Sequence, residues 1–204
     1  MKILIISYTY WPQIEPRSIR GRSIADYWVK NGHSVSVITA SPQKKQTKIN
    51  KNDVNIIYIP ENFIGLLRRK LSKEKTTEIL SNAHQNISKV NKAINFNILL
   101  KSFIKLSYEL ILKRIQWPDF AWTWIFNARR GTLNHLNSNE AYDIIISVSH
   151  PFSSHLVAKS IKHKFQKMKW ILDMGDPFCF LVESPPNNFL FYNALNRHIE
   201  GTCF

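Results

Sequence analysis

The amino-acid sequence predicts an α/β fold, a parallel sheet with helices on both faces. An apolar run at residues 3–6 is followed by a turn, by a helical stretch that ends at Asn31-Gly32, and by a β-rich run at residues 35–39. Two parallel strands need a crossover connection, which is usually a helix, so this order indicates one βαβ unit. Strand and helix patterns alternate again between residues 125 and 172, which extends the same architecture along the chain.

The other elements follow from hydrophobic periodicity and from start and stop signals. Ser18 is a suitable N-cap for the first helix, which would run to Lys30, and Gly32 would stop it. A Lys/Gln-rich loop then leads to a third strand at residues 54–59. Further helices are expected at about residues 125–136, 153–165 and 187–200, and further strands at residues 143–149 and 170–172.

Length and composition favour one globular domain over residues 1–204. Apolar residues make up 44% of the chain and aromatic residues 12%, which argues against disorder. Cys179 and Cys203 form no CxxC or Cys/His cluster, so neither a disulfide framework nor a zinc site is indicated. The first apolar run is too short for a signal peptide, and no uncharged apolar stretch is long enough to span a membrane. We therefore expect a cytoplasmic location.

The charge of the chain favours anionic partners. It carries 28 Lys and Arg residues against 14 Asp and Glu residues, a net charge of +14. Lipid headgroups, nucleotide diphosphates and nucleic acid all match such a charge. Residues 64–117 hold 11 basic and 3 acidic residues and form a predicted basic helical insertion. Within it, residues 96–114 have an apolar face and a lysine-rich face, so this helix either lies on an anionic membrane or packs on the sheet.

Three loops are candidates for a functional site, because ligands of open parallel sheets bind outside the carboxyl ends of the strands. They span residues 8–20, 147–154 and 173–178. Neither GxGxxG nor GxxxxGK[ST] follows the first strand, which disfavours NAD and P-loop nucleotide sites. Arg17 and Arg20 are suited to bidentate contact with a phosphate or a carboxylate, or are surface arginines at the start of a helix.

The three loops also carry motifs that occur together in one protein family. The motifs are Tyr10-Trp11-Pro12 through Arg20, Ser149-His150-Pro151-Phe152, and Trp170-Ile171-Leu172-Asp173 with Asp176-Pro177. In this order and spacing they resemble the N-terminal, acceptor-binding half of family 4 glycosyltransferases of GT-B architecture. The resemblance implies a Rossmann-like domain, one half of a GT-B fold. No Glu-x7-Glu segment follows Glu200, so we expect the C-terminal nucleotide-sugar domain to be absent and the chain alone to be inactive.

The resemblance implies roles for particular residues. His150 matches the histidine that hydrogen-bonds the donor sugar and is the predicted catalytic residue, although a turn histidine that caps the next helix fits the same position. Asp173 and Asp176 would contact sugar hydroxyls or cap the segment that follows. Trp124 would stack on a sugar or pack against the sheet. The predicted substrate-binding residues are Arg17, Arg20, Trp124, Ser149, Asp173 and Asp176. No metal and no cofactor are expected beyond the nucleotide-sugar, which is the donor substrate.

The predicted function is that of a retaining glycosyltransferase. It would transfer a sugar from a nucleotide-sugar to a glycan or lipid-linked acceptor in cell-surface polysaccharide synthesis, at the inner face of the cell membrane. The alternative is a non-enzymatic basic α/β module that binds nucleic acid or a protein partner. The sequence has the charge of such a module but no RNP, KH or helix-turn-helix signature, and its lysine-rich segment lacks interleaved aromatics, so no nucleic acid partner is expected.

Overall fold

The computed structural model describes residues 1–41, 43, 45–69, 106, 115–138, 141–182, 187 and 189–204. Its centre is a six-stranded sheet with helices on both faces, which confirms the predicted α/β, Rossmann-like fold. The strands are β1 (Lys2–Ser7), β2 (Ser34–Ser41), β3 (Thr47–Lys51), β4 (Val54–Pro60), β5 (Ile144–Val148) and β6 (Lys169–Asp173). The helices are α1 (Pro16–Lys30), α2 (Trp124–Asn137), α3 (Ser153–Lys164) and α4 (Leu190–Gly201), with helical residues also at 63–69 and a 3₁₀ turn at Phe178–Phe180.

The strands lie in the order β3-β4-β2-β1-β5-β6. All neighbouring pairs are parallel except β3 with β4. The chain proceeds from β1 to β2 on one side of β1 and later returns to β5 on the other side. The strand order therefore reverses between β1 and β5, and a crevice is expected there, outside the carboxyl ends of these strands.

The antiparallel edge strand β3 lies where the sequence predicted a loop. Thr47–Lys51 is short, polar and at most half-buried, so it lacks the apolar run that marks the inner strands. It joins β4 through a two-residue turn at Asn52 and Asp53, whose φ angles are +51° and +61°. Asn and Asp tolerate the left-handed conformation that such hairpin turns require at both positions.

Helix α1 begins two residues before the predicted start. Pro16 occupies the first turn, where its missing N–H would have no partner within the helix, and Glu15 precedes it. Ser18 is therefore inside the helix and is not its cap, and its hydroxyl donates to the carbonyl of Gln13 at 2.8 Å. The predicted stop is confirmed, since Gly32 adopts a φ of +76° directly beyond the helix.

Strand β1 contributes to a hydrophobic core on each face of the sheet. Leu4 and Ile6 belong to the core beneath α2 and α3, whereas Ile3 and Ile5 belong to the core beneath α1. All four side chains are buried. A parallel strand that is covered on both faces has a continuous apolar sequence, which explains why the run at residues 3–6 predicted this strand.

Most of the predicted basic insertion lies outside the described residues. Residues 63–69 are helical and residues 116–119 are not, in agreement with a helix break at Trp117-Pro118. The amphipathic stretch at residues 96–114 falls outside the described part apart from Leu106, so its position on a membrane or on the sheet stays a prediction. Over the described ranges, the chain has no helix with the length and apolar character needed to cross a bilayer.

Candidate functional site

The loops after β1, β5 and β6 meet at one edge of the sheet. The backbone N–H of Ser149 donates to the carbonyl of Asp173, and the N–H of Gly175 donates to the hydroxyl of Ser149, both at 3.0 Å. On the other side, the N–H of Tyr8 donates to the hydroxyl of Ser154 at 3.2 Å. The predicted convergence of the three loops is confirmed, because parallel strands end at the same edge.

Two ion pairs join the start of α1 to the loop after β6. Arg20 Nη2 lies 2.6 Å from Asp173 Oδ1, and Arg17 Nη2 lies 2.9 Å from Asp176 Oδ2. Gly175 permits this approach, since a Cβ built there would lie 1.6 Å from Arg17 Nη1. Partly exposed ion pairs contribute at most about 1 kcal/mol to stability, so we expect these pairs to position the two loops.

The capping role considered for Asp173 and Asp176 is wrong. Glu200 of α4 supplies that cap, because its carboxylate accepts hydrogen bonds from the backbone N–H groups of Phe178 and Cys179 at 2.7 and 3.1 Å. Glu200 lies more than twenty residues along the chain, so only the folded arrangement of α4 brings it to the 3₁₀ turn. The two aspartates are instead the partners of the α1 arginines.

A cleft of about 280 Å³ opens between the loops after β1 and β5 and the helical residues 63–69, and we call it the switch-point cleft. It lies where the strand order reverses, beside the carboxyl ends of β1 and β5, the usual place for a ligand in such sheets. Three arginines, a histidine and one acidic residue line it, and the arginines pair with Asp176 and Glu61. Its lining residues are Tyr8, Thr9, Gln13, Glu15, Arg17, Arg68, Arg69, Phe120 and His150.

His150, the predicted catalytic residue, is half-buried in the wall of this cleft. Its ring packs against the ring of Phe120 with 5.3 Å between centroids. Asp119 fixes the loop that carries Phe120, because its carboxylate accepts hydrogen bonds from the Ser153 N–H at 2.8 Å, the Ser153 hydroxyl at 2.7 Å and the Ala121 N–H at 2.8 Å. Asp119 therefore holds the first turn of α3, and the capping alternative for His150 does not apply.

The buried carboxyl of Asp119 is electrostatically linked to His150. Burial raises the pKa of Asp119, while the hydrogen bonds from Ser153 and Ala121 and the electrostatic interaction with His150 oppose that rise. Each of these opposing contacts favours the carboxylate form. Asp119 was not predicted from sequence, because a lone Asp after Trp117-Pro118 has no local sign of its partner, 34 residues away.

A buried carboxylate behind the cleft was also not predicted. Glu61 follows β4, and its side chain has no exposed surface. Its oxygens accept hydrogen bonds from the Tyr8 hydroxyl and from Arg69 and lie 3.4 Å from Arg68 Nη2, which also donates to the Tyr8 hydroxyl at 2.6 Å. Burial raises the pKa of Tyr8, so the phenol keeps its proton at neutral pH. The sequence contained one sign of this cluster, because Arg68 and Arg69 lie seven and eight residues after Glu61, a spacing of about two helical turns.

Trp124 is not accessible to a ligand. Its side chain is 0% exposed, its indole N–H donates to the carbonyl of Ile59 at 3.3 Å, and its ring packs edge-on against Tyr8 at 5.3 Å. The predicted substrate contact is therefore wrong, and the alternative, packing against the sheet, is correct. Full burial of an indole removes a large apolar surface from water, which favours an inward orientation at the start of α2.

The predicted site residues thus occupy three kinds of position. Arg17 and His150 line the switch-point cleft. Arg20, Ser149 and the two aspartates border it through the contacts between loops, and Trp124 belongs to the core. Within the described residues, no group of three or more His, Cys, Asp and Glu side chains is arranged to hold a metal ion.

Comparisons with known proteins add no family assignment. No family model matches the sequence, and no curated protein matches it either.

Proposed function

We propose that the chain is the acceptor-binding half of a retaining glycosyltransferase of GT-B architecture, acting in cell-surface polysaccharide synthesis at the inner face of the cell membrane. The observation that carries the proposal is that three loops meet at one edge of the sheet, where the loops after β1 and β5 line a cleft and the loop after β6 is joined to them by hydrogen bonds and ion pairs. These loops hold the motifs that resemble family 4 glycosyltransferases, and the cleft lies where the strand order reverses. Three distant stretches of sequence with the same family resemblance would therefore serve a single site.

In this proposal, His150 hydrogen-bonds the sugar that is transferred. Its imidazole lines the cleft and packs against Phe120, so it loses little freedom when a substrate binds. We assign Asp173 a positioning role, because its Oδ1 lies 2.6 Å from Arg20 Nη2. The reaction would depend on positioning of the donor and the acceptor by the cleft.

The nucleotide-sugar donor would need a second Rossmann-like domain. In enzymes that the chain resembles, that domain holds the nucleotide and supplies a pair of glutamates. Positioning of two substrates accounts for a large part of catalysis, so we expect the 204 residues alone to transfer no sugar at a useful rate.

A transfer assay tests the proposal. The purified chain is incubated with radiolabelled nucleotide-sugars and lipid-linked acceptors, alone and fused to a C-terminal half of the same architecture. Label should reach the acceptor only with the fused protein, and His150→Ala should lower turnover more than it weakens acceptor binding. His163→Ala removes an exposed imidazole from α3 and is the matched control, for which normal transfer is expected.

Two results would count against the proposal. Transfer that His150→Ala leaves unchanged would remove this residue from the reaction. Absence of transfer with every donor, together with retention of RNA or DNA in a gel-shift assay, would favour the alternative of a non-enzymatic basic α/β module.

A further inference from the structure

We propose that the switch-point cleft binds a phosphoryl group carried by the acceptor. The side chains that would hold it are Arg17 of α1 and Arg68 and Arg69 of the helical residues 63–69. The inference rests on the proposed function in one respect, that the phosphorylated molecule is the acceptor. The residues of the cleft support the phosphoryl site itself, whatever the acceptor is.

The positive charge of the cleft is unevenly balanced, because Arg17 has its own partner in Asp176 and Glu15 also lines the cleft. Within the described residues, a single carboxylate, Glu61, pairs with both Arg68 and Arg69, so these two arginines carry one positive charge more than their carboxylate balances. The Glu61 side chain has no exposed surface, whereas the side chains of Arg68 and Arg69 are 20% and 18% exposed. An anion that enters the cleft therefore meets the guanidinium groups and is separated from the carboxylate behind them.

The position of the arginines increases their attraction for an anion. Partly buried charges interact more strongly than fully solvated ones, because the effective dielectric constant around them is lower. Arg68 also stacks on Phe120, with its guanidinium carbon 4.3 Å from the ring centroid. This contact, with the hydrogen bond to Tyr8, holds the guanidinium at the cleft before any ligand arrives.

Over the part of the chain that the structure describes, some residues that line the cleft also have buried polar atoms without hydrogen-bond partners. These atoms are Thr9 Oγ1, Gln13 Oε1 and Arg68 Nε. Buried polar groups in folded proteins are normally paired, so such a group around one cavity calls for a ligand or for water. The Thr9 hydroxyl and the Arg68 N–H can donate to an anionic oxygen, and Gln13 Oε1 can accept from a hydroxyl. These atoms have almost no accessible surface, so they would reach a phosphoryl group on a hydroxylated molecule only after their side chains turn towards the cleft.

A phosphoryl group fits the three arginines better than a carboxylate does. It offers three acceptor oxygens and a charge of about −1.5 to −2, whereas a carboxylate offers two oxygens and a single charge. Guanidinium groups bind phosphate oxygens in a forked geometry, and several of them can surround one tetrahedral group. The cleft volume of about 280 Å³ leaves room beyond the phosphoryl group for part of the molecule that carries it.

Calorimetric titration of the full chain with inorganic phosphate tests the inference. Arg68→Gln and Arg69→Gln should each weaken binding by about tenfold or more, because hydrogen bonds to charged groups are lost. Glu61→Gln should strengthen binding by about fivefold or more, because it removes the charge that opposes the anion. The matched control is the double variant Arg129→Gln/Arg130→Gln, another adjacent pair of arginines, both exposed on α2, for which unchanged affinity is expected. Circular dichroism shows whether each variant is folded.

A second arm separates the possible carriers of the phosphoryl group. Vesicles of phosphatidylcholine with 10% phosphatidic acid present a phosphate monoester on a lipid, and glucose 1-phosphate presents it on a sugar. If the acceptor phosphate is on a lipid, Arg69→Gln should reduce retention of the chain on the vesicles. If it is on a soluble sugar, glucose 1-phosphate should bind more tightly than inorganic phosphate, and the vesicles should not respond to Arg69→Gln.

The results distinguish this inference from the proposed function. Absence of saturable phosphate binding, or an equal loss in the Arg129/Arg130 control, would overturn the phosphoryl site. Glu61→Gln without any gain in affinity would overturn the charge argument even if the arginine variants fail to fold. Sugar transfer to an unphosphorylated acceptor that is unaffected by Arg69→Gln would overturn the inference and leave the transferase proposal standing. Phosphate binding without sugar transfer in the fused protein would support the phosphoryl site and contradict the transferase proposal.

Discussion

Protonation of His155 should destabilise the protein as the pH falls. His155 is the third residue of α3, and its side chain is 0% exposed. Its Nδ1 lies 2.7 Å from the Ser147 hydroxyl at the end of β5, and the ring of Phe152 packs against it at 5.4 Å. Its Nε2 has no hydrogen-bond partner among the described residues. A second proton would place a charge in this apolar site, near the positive end of the α3 dipole. Burial lowers the pKa of His155 to about 4, and the charge of Glu200 only partly opposes this shift.

The sign and the size of the effect follow from this pKa. The unfolded chain protonates the imidazole near the ordinary value of 6.5, whereas the folded protein does so only near 4. Between these values the unfolded state binds more protons, so the free energy of unfolding decreases as the pH falls through this window. At about 1.36 kcal/mol per pH unit, the complete loss is about 3 kcal/mol. Above about pH 7 both states hold the neutral ring, and His155 adds no pH dependence.

Urea denaturation followed by tryptophan fluorescence at a series of pH values between 7.5 and 4 measures this loss. His155→Gln should be less stable than the wild type at pH 7.5, because it loses packing, but its further loss on acidification should be smaller by about 3 kcal/mol. His163→Gln removes an exposed imidazole from the same helix and should keep the wild-type loss. Parallel stability curves for the wild type and His155→Gln would refute the reasoning, because titration of other groups would then explain the whole acid dependence.

Three further predictions concern the core, the loops and the basic insertion. Trp124→Ala should lower the free energy of unfolding, measured by urea titration, by about 3–5 kcal/mol, and Trp124→Phe should lower it by less. Small and equal losses for the two variants would contradict the burial of the indole. Gly175→Ala should displace the Arg17 guanidinium and weaken phosphate binding. Gly201→Ala is the control, because a Cβ added there would meet no described atom within 4 Å. An unchanged calorimetric titration of Gly175→Ala would contradict this prediction. If residues 96–114 form an interfacial helix, the chain should float with anionic vesicles at low salt only, and equal flotation with neutral vesicles would argue against it. Glutamine at its cationic positions should abolish flotation, and these positions are Lys101, Lys105, Lys113 and Arg114.

The inner part of the sheet was predictable because each inner strand has a strong local pattern. β1 and β4 are mostly apolar, as a strand covered on both faces requires, and β2 contains several β-branched residues between turn signals. β3 escaped prediction because an edge strand needs few apolar residues, and its pairing with β4 depends on the turn at residues 52 and 53. The start of α1 was misplaced because Ser18 is a good cap by type, while Pro16 is the residue that begins the helix.

The candidate site was predictable as a place but not as a set of contacts. The topology of parallel strands brings the loops after β1, β5 and β6 to one edge, so Arg17 and His150 could be assigned to it from sequence. The contacts between those loops could not be predicted, because Arg20 and Asp173 are 153 residues apart and no local pattern links them. Trp124 had two possible environments, and its residue type suits both.

The sequence by itself determined the α/β class, the positions of most strands and helices, and the edge of the sheet where a site would lie, because periodicity and turn residues act over a few neighbouring positions. Only the tertiary structure decided which side chains share that edge. It placed Glu61 behind Arg68 and Arg69, turned Trp124 into the core, and gave the cap of the 3₁₀ turn to Glu200. These choices depend on burial and charge pairing between distant segments, and such contacts exist only once the sheet and its helices have assembled.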